Sequence, residues 1–250
     1  MSLQENKSSW WMRIWYFIRF MLILAVLTGA GYGIVFKTEL FIIKDIEIAC
    51  NNEQTMVLFK SFTTHFEGKN IFLISMGEAM EELENNPYIA QLEVKRAFPN
   101  KIKYRAIMRE EKAAFLYNNM YLYLDSDGML LRISSENDGV FVLEGFTVKS
   151  FIVGRPLELN TPEELGNALK LINLVAQTSF DQLPRVVYEK KQITLRLNDQ
   201  LKGKFGNGED IERKFNAFMD IYNDLKVKGI TSGVVDVSHK GYPVYKPFGE

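Results

Sequence analysis

Asp236, Ser238 and His239 are the side chains in this 250-residue chain that come nearest to the orienter, nucleophile and base of an acyl-transfer triad. Their spacing works against it. The run Val234-Val235-Asp236-Val237-Ser238-His239 alternates as a strand does, so Asp236 and Ser238 share one face and His239 points to the other. His65 lies beside the apolar stripe of a helical segment without a second His or Cys at ligand spacing, which fits a hydrogen-bonded structural histidine. Asp125-x-Asp127-Gly128 begins like a calcium loop, but Met129 occupies the fifth position and the glycine comes too early, so it reads as a hairpin turn. Gly203-x-x-Gly206-x-Gly208 departs from the G-x-G-x-x-G spacing and lacks a phosphate-binding lysine, so it reads as the turn into a following helix. Glu110-Glu111 and Glu163-Glu164 are sequence neighbours, which does not set two carboxylates across a cleft. The expectation is no catalytic residue, no metal ligand and no cofactor.

The elements that could position partners begin at the N-terminus. Phe20 to Phe36, FMLILAVLTGAGYGIVF, is uncharged throughout. Together with the aromatic-rich Ile14–Ile18 it reaches the ~30 Å thickness of a bilayer's hydrocarbon core at about 1.5 Å per residue. We therefore expect a cytoplasmic tail over 1–13 and a transmembrane helix over 14–36. Lys7, Arg13 and Arg19 precede the uncharged run against a single Glu5, while Lys37 and Lys44 beyond it are offset by Glu39 and Asp45. That bias puts the N-terminus in the cytoplasm and the rest outside, with Trp10, Trp11, Trp15 and Tyr16 as an interfacial belt. A cleaved signal peptide would want a shorter apolar core ending in a small-x-small exit. Gly29-Ala30-Gly31 supplies the exit, but the apolar run continues to Phe36. Gly29 and Gly33 have the spacing of a helix-dimerisation face, though glycines are common in such helices.

The net charge of −1 leaves no electrostatic footprint for nucleic acid, and the single cysteine, Cys50, cannot close an intrachain disulfide. Ile46, Ile48 and Cys50 alternate in a strand. Leu58, Phe59, Phe62 and Phe66 have helical spacing ending near Gly68, and Ser75-x-x-Glu78 caps a helix with Ala79, Met80 and Leu83 inward that stops at Asn86-Pro87. Two alternating strands follow, one with Leu92, Val94 and Phe98 inward, the other with Ile102, Tyr104, Ala106 and Met108 inward, joined at Pro99-Asn100. The order is β-α-α-β-β, and two helices over a three-stranded sheet would satisfy it.

From about 115 the chain reads as mainly β with two helices. Thr161-Pro162-Glu163-Glu164 forms a capping box opening a helix with Leu165, Leu169, Ile172 and Val175 inward. The last helix places Ile211, Phe215, Phe218, Met219, Tyr222 and Leu225 on one face, with Gly229 as its stop. Val235 and Val237 then alternate with Asp236 and Ser238 in a strand leading to Tyr242–Tyr245. A strand so near the chain end can form a sheet edge open to an added strand, or it can be an internal member of the sheet.

The apolar helix, then FIIKDIEI (41–48), GKNIFLIS (68–75), NPYIAQLEVKRAFPNKIKYRAIMREEKAAF (86–115) and SGVVDVSHKGYPVYKP (232–247), resembles the FtsQ/DivIB family of bacterial cell-division proteins over residues 14–248. The resemblance implies an α+β fold: one transmembrane helix, a POTRA domain over 37–111, and a mainly antiparallel β domain with two helices over 112–250. It implies a non-enzymatic scaffold at the division septum, with no small-molecule substrate. Its partners would be FtsB/DivIC-type and FtsL-type single-pass proteins and, through them, the septal peptidoglycan synthases. Carried onto this chain, the partner-binding set is Val234, Val235, Asp236, Val237, Ser238, His239, Tyr242 and Tyr245. The alternative function is a POTRA-type chaperone or transport component that binds extended polypeptides.

Overall fold

A computed structural model of the chain describes residues 6–50 and 66–248. Helix α1 (Asn6–Lys37) begins ahead of the apolar run and continues through it, and its stretch Trp10–Lys37 is long and apolar enough to cross a membrane. The chain divides into two compact units, one made of 1–84 and 91–107, the other of 85–90 and 108–250.

In the first unit, β1 (Asp45–Cys50) lies parallel to β3 (Lys101–Met108), and β2 (Ile89–Ala97) flanks β3 on its other side. Every second residue of β3, namely Ile102, Tyr104, Ala106 and Met108, is buried. Their alternation with Lys101, Lys103 and Arg105 dictates this, because successive side chains of a strand leave on opposite faces. Helix α2 (Met76–Glu84) buries Leu83 and ends before Asn86-Pro87. The first helix expected here, with His65, lies outside the described residues, as do the side chains of Glu78 and Ala79. One expectation fails. Phe98 does not continue the inward face of Leu92 and Val94. It sits in the turn after β2, 59% exposed.

The second unit is built on a nine-stranded sheet. Strands β4 (Ala113–Tyr117), β5 (Met120–Leu124) and β6 (Leu130–Ser134) form an antiparallel meander, with β7 (Phe141–Glu144) parallel to β4. A small ribbon, β8 (Val148–Ser150) with β9 (Glu158–Leu159), leads into α3 (Pro162–Ala176). The chain re-enters the sheet at β10 (Arg185–Glu189), parallel to β7, and continues antiparallel through β11 (Gln192–Arg196) and β12 (Leu201–Gly206). Helix α4 (Ile211–Val227) then crosses over to β13 (Gly233–Asp236), parallel to β12, and β14 (Val244–Lys246) closes antiparallel on β13.

The sheet is therefore mixed. Its parallel pairs occur where a helix or a full meander intervenes, since parallel neighbours need a long crossover connection. Helices α3 and α4 touch each other and cover one sheet face, burying Leu165, Leu169, Ile172, Ile211, Phe215 and Phe218 against Phe115, Leu143, Val186, Leu195, Phe205 and Val235.

Two local expectations need correction. Thr161 is the N-cap residue of α3 but its side chain makes no cap hydrogen bond, and Glu164 instead accepts from the Tyr188 hydroxyl at 3.4 Å. Gly203 is not in a turn but inside β12. A Cβ there would stand 2.6 Å from Cε2 of Phe218, so the glycine is what lets α4 lie close to the strand. Gly206 (φ +67°) and Gly208 (φ +83°) do turn the chain toward α4.

Candidate functional site

The order of the large sheet is β14-β13-β12-β11-β10-β7-β4-β5-β6, so among the described residues its two ends are β14 and β6. The stretch Val234–Asp236, expected near an edge, is one strand inside it. Val234 pairs with Lys202 on β12 and with Lys246 on β14, and Asp236 with Lys204 and Val244. Val235 and Val237 point into the core and are buried. The Val237 N–H continues the ladder beyond β13 by donating to the Lys204 carbonyl at 3.0 Å.

Asp236 ends the strand. Its Oδ1 accepts from the Ser238 hydroxyl at 2.6 Å and from the Ser238 N–H at 3.0 Å. Burial would raise this carboxyl, but the bonds from Ser238 and the charges of His239 and Lys204 hold it below the usual carboxylate range. The Asp236–Ser238 pair thus serves the turn toward β14. His239 is exposed.

Beyond the turn Tyr242 is 97% exposed. Tyr245 is half-buried and donates from its hydroxyl to the Ser232 carbonyl at 2.7 Å, fastening β14 to the start of β13. Gly233 makes that closeness possible: at φ +129° a Cβ would lie 2.5 Å from Cε2 of Tyr245 and 2.7 Å from the Lys246 carbonyl oxygen. The sheet face away from the helices carries Lys202, Lys204, Val234, Asp236, Val244 and Lys246, from three adjacent strands. Val244 and Lys246, which lie on the terminal strand itself, are absent from the set read off the sequence. The alternation of a three-residue strand after Pro243 is too brief to announce it.

A second constellation was also missed. Glu111 accepts the Tyr88 hydroxyl at 2.5 Å and two bonds from Arg132, Nε at 2.6 Å and Nη2 at 3.0 Å. Arg132 also reaches Asp138 at 2.6 Å, and its guanidinium stacks 3.6 Å from the Tyr123 ring centroid. Burial pushes Glu111 upward in pKa, but the bonds from Arg132 and Tyr88 outweigh it and hold the carboxyl below its ordinary value. Nearby, Arg109 pairs at 2.5 Å with buried Asp125, which also accepts the N–H groups of Asp127 and Met129. Tyr88, Arg109 and Glu111 belong to the NPY and REE runs, so those motifs act here as a clamp of ion pairs and hydrogen bonds within the second unit. Asp125-x-Asp127-Gly128 is the β5–β6 connection.

No group of three His, Cys, Asp or Glu side chains converges on a point among the described residues. An open groove of about 620 Å³ beside the start of β10 and the end of β11, strands in the middle of the large sheet, is lined by Gln182, Arg185, Arg196, Asn198, Asp199 and Gln200, and its lining contains no Ser, Cys or His. Gly128 packs beside Leu165 and Leu169 of α3.

Together these observations define an α+β protein with one apolar N-terminal helix and a nine-stranded mixed sheet that, among the described residues, ends on β14 and β6. Comparison with curated proteins makes this more specific. The chain is 27% identical over 219 residues to the cell division protein DivIB of Clostridium botulinum, covering 84% of this chain and 83% of that protein. It is 28% identical over 187 residues to DivIB of Clostridium acetobutylicum, covering 72% of each. With the cell division protein FtsQ of Syntrophotalea carbinolica it shares 25% identity over 154 residues, covering 61% of this chain and 53% of that protein. No protein-family model matches the chain. The similarities, which run over most of the sequence, are consistent with the FtsQ/DivIB family.

Proposed function

We propose that this chain is a non-enzymatic, single-pass scaffold of the bacterial division machinery, with its N-terminus in the cytoplasm and both compact units outside, at the septum. The observation that carries the reading is similarity, over 84% of the chain, to proteins named for cell division. In this reading residues 37–111 are the POTRA domain and 112–250 the β domain. The partners are an FtsB/DivIC-type and an FtsL-type single-pass protein, through which the scaffold influences septal peptidoglycan synthases.

Docking occurs at the β13–β14 end of the large sheet, involving Val234, Val235, Asp236, Val237, Ser238, His239, Tyr242 and Tyr245, with Val244 and Lys246 added from the terminal strand. A terminal strand has backbone donors and acceptors available to an incoming strand. Lys246, and Lys202 and Lys204 behind it, favour acidic side chains on the occupant. The buried members Val235 and Val237 support the strand and are not themselves contacted.

The test is binding of the full-length chain in lipid nanodiscs to a purified FtsL/DivIC-type ectodomain pair, beside the same chain ending at Gly241. Binding by the full chain and loss on removing β14, with an unchanged far-ultraviolet spectrum, is the expected result. Binding by both would move the docking surface elsewhere on the scaffold. Binding by neither would overturn the partner assignment.

A further inference from the structure

Among its described residues the first unit carries an exposed apolar strip. Leu40 is 52% exposed, Phe72 43%, Leu73 71% and Phe98 59%. These residues come from three separate segments, yet the rings form one file: Phe41 to Phe72 at 5.1 Å between centroids, and Phe72 to Phe98 at 5.2 Å. The file begins where α1 ends.

The carbonyls of a helix's last turn lack intrahelical partners. Here Thr38 Oγ1 donates to the Ile34 carbonyl at 2.5 Å, and Asn70 Nδ2 reaches the Val35 carbonyl at 2.7 Å. Asn70 therefore ties the segment 68–74 to the final turn of α1, and its Oδ1 accepts the Phe72 N–H at 2.9 Å. The Ile71 N–H to Phe41 and the Ile43 N–H to Lys69 complete the stitching.

We infer that Phe72, Leu73 and Phe98 form a membrane-interfacial foot, immersed in the headgroup region of the same bilayer that α1 crosses. The inference rests on the reading of α1 as a membrane span. The stretch Trp10–Lys37 has 28 residues. That is roughly 42 Å of helix against a hydrocarbon core of about 30 Å and a bilayer of about 40–45 Å including headgroups. Its last turn consequently emerges into the headgroup layer, and Asn70 holds Phe72 and Leu73 beside that turn. Exposed aromatic and aliphatic side chains are favourable at that depth and unfavourable in water. Lys37 ends α1 and Lys69 is stitched to Ile43, and these two cations suit a surface bearing phosphates, whereas Lys44 is paired with Glu39 at 3.1 Å. A protein partner covering the strip is the competing occupant. Continuity with the apolar helix favours lipid.

The test uses the full-length chain with Cys50→Ser and one introduced cysteine at a time, labelled with an environment-sensitive fluorophore. The chain is placed in nanodiscs whose phosphatidylglycerol and phosphatidylethanolamine carry a quencher high in the acyl chain. Labels replace Leu27 in α1, Phe98 or Leu73 in the foot, and Arg105, four residues along β3 from Lys101 and so about 13 Å farther along the strand. Quenching several-fold stronger at 98 and 73 than at 105, approaching that at 27, is expected. Quenching at 27 with 98 and 73 no different from 105 would overturn the foot and leave the span intact. Absence of quenching at 27 would remove the membrane span itself, and the foot with it.

Discussion

Arg132 is held by two carboxylates and a ring, Glu111 and Asp138 in its plane and Tyr123 beneath it. Removing the guanidinium leaves Glu111 half-buried with only the Tyr88 hydroxyl. Arg132→Ala should therefore lower the stability of the second unit by about 2 kcal/mol, the scale of a charge-assisted hydrogen bond lost at a partly buried site. Thermal melts followed by circular dichroism would show it.

The same carboxylate sets an acid sensitivity. Glu111 binds its proton less tightly folded than unfolded, so its contribution is complete above its ordinary value of 4.5 and is lost as pH falls below it. Glu111→Gln should melt lower at neutral pH and lose less stability between pH 5 and pH 3 than the parent chain, on the general range of carboxylate titration. Equal acid sensitivity in both would refute this role for Glu111. None of it was legible beforehand. Tyr88, Glu111 and Arg132 are separated in sequence, and adjacent Glu110-Glu111 invites a reading as a carboxylate pair, whereas the fold sends Glu110 to the surface beside Lys112.

At the scale of elements, α4 was the most legible, because its apolar spacing and its Gly229 stop agree. The structure ends the helix at Val227 with Gly229 at φ +69° and buries Phe218 completely. Phe218→Asp should unfold the second unit, since an unpaired charge would replace a ring packed on Phe205, Phe215 and Tyr222. A cooperative melt near the parent temperature would contradict that packing. What the sequence concealed was β12. Its glycines read as a turn because nothing local reveals that Gly203 must face an aromatic ring from a later helix. The terminal strand was displaced for a related reason: Val235 and Val237 alternate strongly because they are interior, and the true end strand is weaker in pattern.

Two substitutions separate these strands. Val237→Pro removes the donor to Lys204 and should destabilise the unit, not merely weaken docking. Gly233→Val should drive β14 away, through its collision with Tyr245 and the Lys246 carbonyl, and strain the start of β13, where Gly233 sits at φ +129° and its N–H donates to the Gln200 carbonyl. Faster amide exchange at 242–248 would report that displacement.

For the whole molecule, charge asymmetry around α1 is the property that composition exposes most directly. If Lys7, Arg13 and Arg19 hold the N-terminus inside, protease added to intact protoplasts should digest everything beyond Lys37 and leave an N-terminal tag intact. Loss of the tag would reverse the topology. The chain falls into two compact units, and 85–90 groups with the second, where the Arg109 N–H donates to the Tyr88 carbonyl at 2.7 Å. That grouping depends on contacts between residues distant in sequence, such as Tyr88 with Arg109 and Glu111, which no window of local sequence contains.

The bond from Asn70 to Val35 also acts as a key in a shaft. An α-helix turns about 100° per residue, so a single residue inserted within α1 rotates everything after it by that angle about the helix axis. With the final turn gripped from the segment 68–74, the rotation cannot be dissipated at Thr38 without breaking the grip. The azimuth of the first unit is thereby geared to the register of α1.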